Sequence, residues 1–148
     1  MNIVIGGTFG YLHKGHVALI SKAFELGDFI YIGLTTDAYV LRAKPGEDVP
    51  PYVERKAALD KLAHSLKKRY TIGPLEDRYG PSTTGNFDAI VVSEETYKSA
   101  LEINRIRKKN GLNELRIIKI AYVLADDLKP ISTSRILKGE IDKDGKKL

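Results

Sequence analysis

Short unbroken apolar runs alternate along this chain with stretches in which apolar residues return at helical spacing. Residues 2–5 form the first run, closed by Gly6 and Gly7. From about residue 16 the positions Leu19, Ile20, Ala23 and Phe24 keep a helical period as far as Gly27, which predicts strand, loop, helix. Residues 29–34 make a second strand-like run, 37–41 a short turn or helix, and 43–51 a loop rich in proline and charge, expected to be exposed and mobile. Leu59, Leu62, Ala63 and Leu66 put a helix over residues 52–69, followed by a strand at 70–75 and a turn-rich stretch at 76–86. A buried-strand pattern at 88–93, a helix over 94–109 closed by Asn110 and Gly111, a strand over 115–122 and a terminal helix from about Ser132 complete the alternation.

Strands that are continuously apolar, rather than apolar at every second position, belong to a sheet covered on both faces. The fold class predicted is therefore α/β: a single Rossmann-like domain over residues 1–138 with about five parallel strands and helices on both faces. Residues 139–148 read as a basic, frayed C-terminal tail. In open sheets of this kind ligands bind beyond the carboxyl ends of the strands, where the strand order reverses, so the loops there are the first candidates for a site.

Composition narrows the picture. The chain has 148 residues, 43% of them apolar, which is enough for one domain with a real core. Lys and Arg outnumber Asp and Glu by 24 to 19, a net charge of +5 that suits polyphosphate ligands without demanding nucleic acid. No aromatic and basic interleaving points to a nucleic-acid partner. Cysteine is absent, which excludes disulfides and thiolate chemistry. No apolar run approaches the ~20 residues of a membrane span, and the first residues read as a strand rather than a leader, so the expectation is a cytoplasmic protein without a membrane partner.

The chemistry concentrates after the first strand, in Gly6-Gly7-Thr8-Phe9-Gly10-Tyr11-Leu12-His13-Lys14-Gly15-His16. A glycine-rich turn running into a helix start offers backbone N–H groups and a helix dipole to an anion. The glycine spacing fails the dinucleotide fingerprint, and His16 stands where a Walker loop needs lysine. His13 and His16 supply imidazole donors for phosphate oxygens, and Gly15 permits close approach. Zinc would need a third ligand, and the one other histidine, His64, lies in a predicted helix without a partner, so no metal site is assigned. Late in the chain, Ile131-Ser132-Thr133-Ser134-Arg135 follows Lys129-Pro130 and reads as a second anion cradle at a helix start, or as simple capping. Ser93 and Glu95 end the fourth strand at the ligand edge and are equally compatible with capping of the next helix.

Gly7-Thr8-Phe9 with His13-Lys14-Gly15-His16 resembles the first signature of the nucleotidylyltransferase superfamily, and Ile131-Ser132-Thr133-Ser134-Arg135 is similar to its second. The segments Tyr52-Val53-Glu54-Arg55, Asp77-Arg78-Tyr79-Gly80-Pro81, Val91-Val92-Ser93-Glu94-Glu95-Thr96-Tyr97 and Ile103-Asn104-Arg105-Ile106-Arg107 together resemble the archaeal and eukaryotic branch of phosphopantetheine adenylyltransferases. The similarity runs over residues 3–136. Gly10 departs from it, since many members carry an acidic residue there.

The resemblance implies ATP and 4′-phosphopantetheine as substrates, with Mg²⁺ accompanying ATP, and dephospho-coenzyme A and pyrophosphate as products. It implies catalytic roles for His16 and Lys44. ATP would be held by Gly7, Thr8, Phe9, His13, His16, Ser93, Glu95, Ile131, Ser132, Thr133, Ser134 and Arg135. The acceptor would meet Thr8, Arg42, Lys44, Asp77 and Tyr79. Arg105 and Arg107 read as a solvated face or a charge cluster at a helix C-terminus. Assembly as a homo-oligomer is left open. Two alternatives stand beside this reading: a sister enzyme acting on glycerol 3-phosphate, nicotinamide mononucleotide or flavin mononucleotide, and a nucleotide-binding regulator without turnover.

Overall fold

A computed structural model describes all of residues 1–148. Its strands are β1 (Asn2–Gly7), β2 (Phe29–Thr35), β3 (Arg69–Leu75), β4 (Ala89–Val92) and β5 (Arg116–Lys119), all parallel, in the order β3-β2-β1-β4-β5. The helices are α1 (Lys14–Leu26), α2 (Asp37–Ala43), α3 (Tyr52–Ser65), α4 (Tyr97–Lys109) and α5 (Thr133–Leu137). The expected α/β architecture is the observed one.

Successive side chains on a strand face opposite sides of the sheet, so a strand covered on both sides must be apolar throughout. In β1, Ile3 and Ile5 enter a core with Ile20, Ala23 and Phe24 of α1 and Leu59 and Ala63 of α3. Val4 enters a second core with Ala100 and Ile103 of α4. The chain runs outward from β1 to β2 and β3, then returns to the other flank of β1 as β4. The order reverses between β1 and β4, and a crevice opens there at the carboxyl ends.

Several boundaries differ from the periodicity. The helix expected to reach residue 69 stops at Ser65, because Lys67 turns into the left-handed region with φ 55° and releases Arg69 to pair with Phe29. The helix expected from 94 starts at Tyr97, since residues 93–96 close a turn in which the Ser93 amide donates to Thr96 Oγ1 at 3.2 Å. The last strand ends at Lys119, and the chain then leaves the sheet. Residues 45–48 are exposed, as expected, but the ends of that loop are pinned by the Lys44 amide on the Val40 carbonyl and by Arg55 on the Pro50 carbonyl.

Residues 139–148 do not fray. Asp142 Oδ1 accepts the amides of Asp144 at 2.9 Å and Lys146 at 2.8 Å, which closes a turn that pairs Ile141 with Lys147. Ile141 is wholly buried against Ala125 and Ile131. Four hydrogen bonds within the turn and one apolar anchor outweigh the basic composition of the segment.

Arg105 and Arg107 also part company. Arg105 is exposed beside Glu102, as a solvated face requires. Arg107 is buried, donating from Nε to the Asn113 carbonyl at 2.7 Å and from Nη1 to the carbonyls of Ser82 at 3.0 Å and Gly85 at 2.9 Å. Arg107→Ala leaves the Asn113 and Ser82 carbonyls without a donor, while the Gly85 carbonyl keeps the Phe87 amide at 3.0 Å; at about 1–3 kcal/mol for each acceptor that stays buried, a loss of roughly 2–4 kcal/mol in urea unfolding is expected. Arg105→Ala should stay within about 0.5 kcal/mol of the parent.

Candidate active site

The loop after β1 turns sharply at Phe9, whose φ of 46° is unusual for a residue with a side chain. Its ring is buried and meets the His16 ring edge-on at 5.2 Å between centroids. His13 then caps α1: its Nδ1 accepts the amides of Gly15 at 3.0 Å and His16 at 3.3 Å. Gly15 is required here by space, because a Cβ would sit 2.8 Å from His13 Cε1. With Nδ1 used as an acceptor, the neutral His13 ring carries its proton on Nε2 and has one donor left.

His13 and His16 stack at 3.7 Å between centroids. Burial holds the His13 imidazole down at about 4. Burial, then the charge His13 would carry, then Lys44 push His16 down to about 3, while the Tyr11 carbonyl opposes the shift without a hydrogen bond of ordinary geometry to the buried Nδ1. At neutral pH both rings are uncharged, so they offer N–H donors rather than positive charge.

Thr8 is fixed from behind. Thr35 Oγ1 donates to Thr8 Oγ1 at 3.1 Å, and the buried Arg55 reaches both residues: Nη1 donates to the Thr8 carbonyl at 3.1 Å, the Thr35 carbonyl at 2.7 Å and Thr35 Oγ1 at 3.2 Å. Arg55 Nε takes the Pro50 carbonyl at 2.7 Å, and Nη2 pairs with Asp37 Oδ1 at 3.0 Å.

On the other flank Ser132 caps α5, its Oγ accepting the Arg135 amide at 3.2 Å, and the amides of Thr133 and Ser134 are left without a partner in the helix. The two helix starts face one cavity of about 560 Å³ at the strand-order reversal. Gly7, Thr8, Phe9, His13 and His16 line one side, and Ile131, Ser132, Thr133 and Ser134 another. Lys44 enters from the loop after α2, Tyr79 from the loop after β3, and Ser93 and Glu95 from the loop after β4. No group of three or more His, Asp or Glu side chains is placed to hold a metal ion.

Three expected site residues are not brought to this cavity. Arg42 Nη2 donates to the Glu76 carbonyl at 3.1 Å and ties α2 to the β3 loop. Asp77 Oδ1 accepts the amides of Tyr79 at 2.9 Å and Gly80 at 2.6 Å, which makes it a turn cap. Arg135 pairs with Asp127 and donates to the Pro130 carbonyl at 3.0 Å, so its guanidinium is spent inside the fold. Two residues were missed. Arg78 lines the cavity with its guanidinium 5.9 Å from the Tyr79 ring, and only its neighbours in sequence hinted at it. Arg55 stands four residues before Leu59 on the apolar stripe of its helix, and a cation on such a stripe is the signal.

A parallel sheet with a helix start on each side of the cavity at its order reversal is the framework of an α/β protein of the nucleotidyltransferase class. The chain belongs to the Cytidylyltransferase-like family, whose model matches residues 4–139. It is 47% identical to the phosphopantetheine adenylyltransferase of Methanosarcina acetivorans over 97% of this chain and 94% of that one. It is 48% identical to the bifunctional phosphopantetheine adenylyltransferase/NTP phosphatase of Thermoplasma volcanium over its whole length, and spans 45% of that relative. Among solved structures, a protein of unknown function from Archaeoglobus fulgidus superposes with a TM-score of 0.73 at 34% identity, covering 81% of this chain and 89% of that one.

The lowered histidines set a pH dependence. Unfolded histidine titrates near 6.5, so between that pH and the folded values of about 4 and 3 the unfolded chain binds more protons than the folded one. The contribution of both histidines is flat above pH 6.5 and becomes destabilising as pH falls below it. Melting temperature measured from pH 7 to 4 should therefore fall less steeply in His13→Asn and His16→Gln than in the parent.

Proposed function

We infer that this chain transfers the adenylyl group of ATP to 4′-phosphopantetheine, giving dephospho-coenzyme A and pyrophosphate. The observation that carries the reading is the convergence of two helix starts, His16 and Lys44 on one cavity of about 560 Å³ that Tyr79 also lines. The name of the Methanosarcina acetivorans relative, similar over nearly its full length, supports the choice of acceptor.

A phosphate oxygen of the acceptor attacks the α-phosphorus in line, the bond from that phosphorus to the bridging oxygen breaks, and pyrophosphate leaves. No enzyme nucleophile takes part. Catalysis is positioning plus electrostatic stabilisation. His16 donates from Nε2 to the transferring phosphoryl group and Lys44 supplies the charge the neutral imidazoles lack. The turn at residues 132–134 offers amides and hydroxyls to the triphosphate, and Thr8 bridges the two substrates. Mg²⁺ arrives on ATP as part of the substrate. Tyr79 flanks the acceptor arm, and Ser93 with Glu95 lies toward the nucleoside. The reaction runs in the cytoplasm without nucleic acid.

His16→Ala should lower kcat by a factor of roughly 10² to 10³ while KM for either substrate changes far less, since a preorganised donor to developing charge acts mainly in the transition state. Near-normal kcat would remove His16 from the mechanism. Acceptor choice is tested by product-resolved assays with ATP and Mg²⁺. The kcat/KM for 4′-phosphopantetheine should exceed those for glycerol 3-phosphate, nicotinamide mononucleotide and flavin mononucleotide, and ATP should exceed CTP as donor. A site that pairs the amides of the pantetheine arm is left with unpaired polar groups by a shorter acceptor. Faster turnover of another acceptor overturns the substrate and keeps the reaction type; no pyrophosphate release with any acceptor favours a non-catalytic nucleotide-binding protein.

A further inference from the structure

The loop that carries His13 and His16 and the turn at residues 132–134 lie side by side: a Cβ on Gly15 would be 3.9 Å from the Ile131 carbonyl oxygen, and one on Gly10 would be 4.0 Å from Thr133 Cγ2. No hydrogen bond joins them directly. Their spacing decides whether one triphosphate can engage both, so something else must set it.

Residues 139–148 touch both sides. The Lys14 amide, at the first turn of α1 between His13 and Gly15, donates to the Lys143 carbonyl at 3.1 Å. On the other side Ile141 is wholly buried against Ile131, the residue before the Ser132 cap. The Asp126 amide donates to the Gly145 carbonyl at 2.9 Å and the Lys147 amide to Asp126 Oδ2 at 3.3 Å. The Glu140 amide takes the Arg135 carbonyl at 3.0 Å. Gly145 lies at φ +82° with space for no side chain, since a Cβ would meet Ile131 Cδ1 at 2.8 Å and Ala125 Cα at 3.0 Å.

We propose that residues 139–148 are a clasp, a positioning segment that fixes the turn at residues 132–134 against the start of α1 so that both meet the same triphosphate. The inference rests on the proposed function for the identity of the ligand and on the contacts above for the clasp. A helix start normally leaves its first amides to water. The Lys14 amide is instead tied to a segment that is 129 positions away in sequence (143 − 14). Loss of the anchor frees one side of the nucleotide site and leaves the Tyr79 side untouched, so donor and acceptor should respond differently.

Two measurements on the full chain test this. In amide hydrogen exchange of the parent protein, Lys14 should be protected well beyond an unbonded helix-start amide; exchange at the rate of an unbonded amide overturns the clasp and needs no activity. In calorimetry and kinetics, Ile141→Ala and Gly145→Val should weaken ATP binding roughly ten-fold and raise KM for ATP in step. The KM for 4′-phosphopantetheine should stay within about two-fold, and Ile141→Val should restore most of the loss. Variants that bind ATP like the parent, or that lose both substrates in proportion to unfolded protein, overturn the proposal. Where a variant does not fold, the exchange result decides. A parent protein that binds no ATP sinks the proposed function, and the protection of Lys14 still judges the clasp contacts.

Discussion

An ionised guanidinium taken out of water must find its solvation in the protein, and Arg55 finds it in the backbone of the segments around the cavity. Five donated contacts reach Thr8, Thr35, Pro50 and Asp37, so the β1 loop, the end of β2, the loop carrying Lys44 and the start of α2 are tied to one side chain of α3. The carbonyls of Thr8 and Thr35 lie where the strands end and the ladder stops, so they need another donor. A lysine brings a single nitrogen to this place and cannot span it; the planar fork of arginine can. The position of Thr8, and through the Thr35 hydroxyl its side-chain oxygen, follows from this burial.

The histidine pair is under the opposite constraint. Burial keeps both rings neutral, and His16 Nδ1 lies buried without a partner. Phe9 is held at positive φ to place its ring against His16. Strain and an unpaired polar atom in one loop cost stability, and such costs collect where a site must be preorganised. In the proposed reaction a neutral donor would have an advantage over a cation: it adds no repulsion to Lys44, and it would meet developing negative charge without forming a tight ion pair with the ground-state phosphate.

How much was legible in the sequence follows from what kind of force set each feature. The strands were legible because a sheet covered on both faces requires unbroken apolar runs, as in residues 3–5 and 89–92. The cavity was legible through Gly15, His13, His16 and the Ser132 turn, whose types report local backbone needs. Helix ends were less so, since Lys67 ends α3 through a backbone turn that no residue type announces. Arg135, Asp77 and Arg42 lie away from the cavity lining, and the sequence could not show this because a charge beside a glycine- or serine-rich turn looks the same whether it meets a ligand or a group of the fold. The C-terminal segment was misread because composition averages over residues, whereas buried Ile141 and the hydrogen bonds of the Asp142 turn outweigh the lysines around them.

Arg55 and Arg107 share a cause that the pattern held in plain view. Arg55 continues the apolar stripe of Leu59 and Ala63 on α3, and Arg107 continues that of Ala100 and Ile103 on α4. The two helices pack on opposite faces of the sheet. At each stripe's end the helix meets loop backbone instead of sheet, and the side chain must change from burying hydrocarbon to satisfying carbonyl oxygens. Arginine does both, with a methylene stem for the core and a fork of donors for the loop. Arg55 takes the loops that carry Thr8 and Lys44; Arg107 takes the carbonyls of Ser82 and Gly85 in the segment that follows Tyr79. The two sides of the cavity are thus held by the same device on the two faces of one sheet, which lets each loop depart from regular structure without leaving its backbone unpaired.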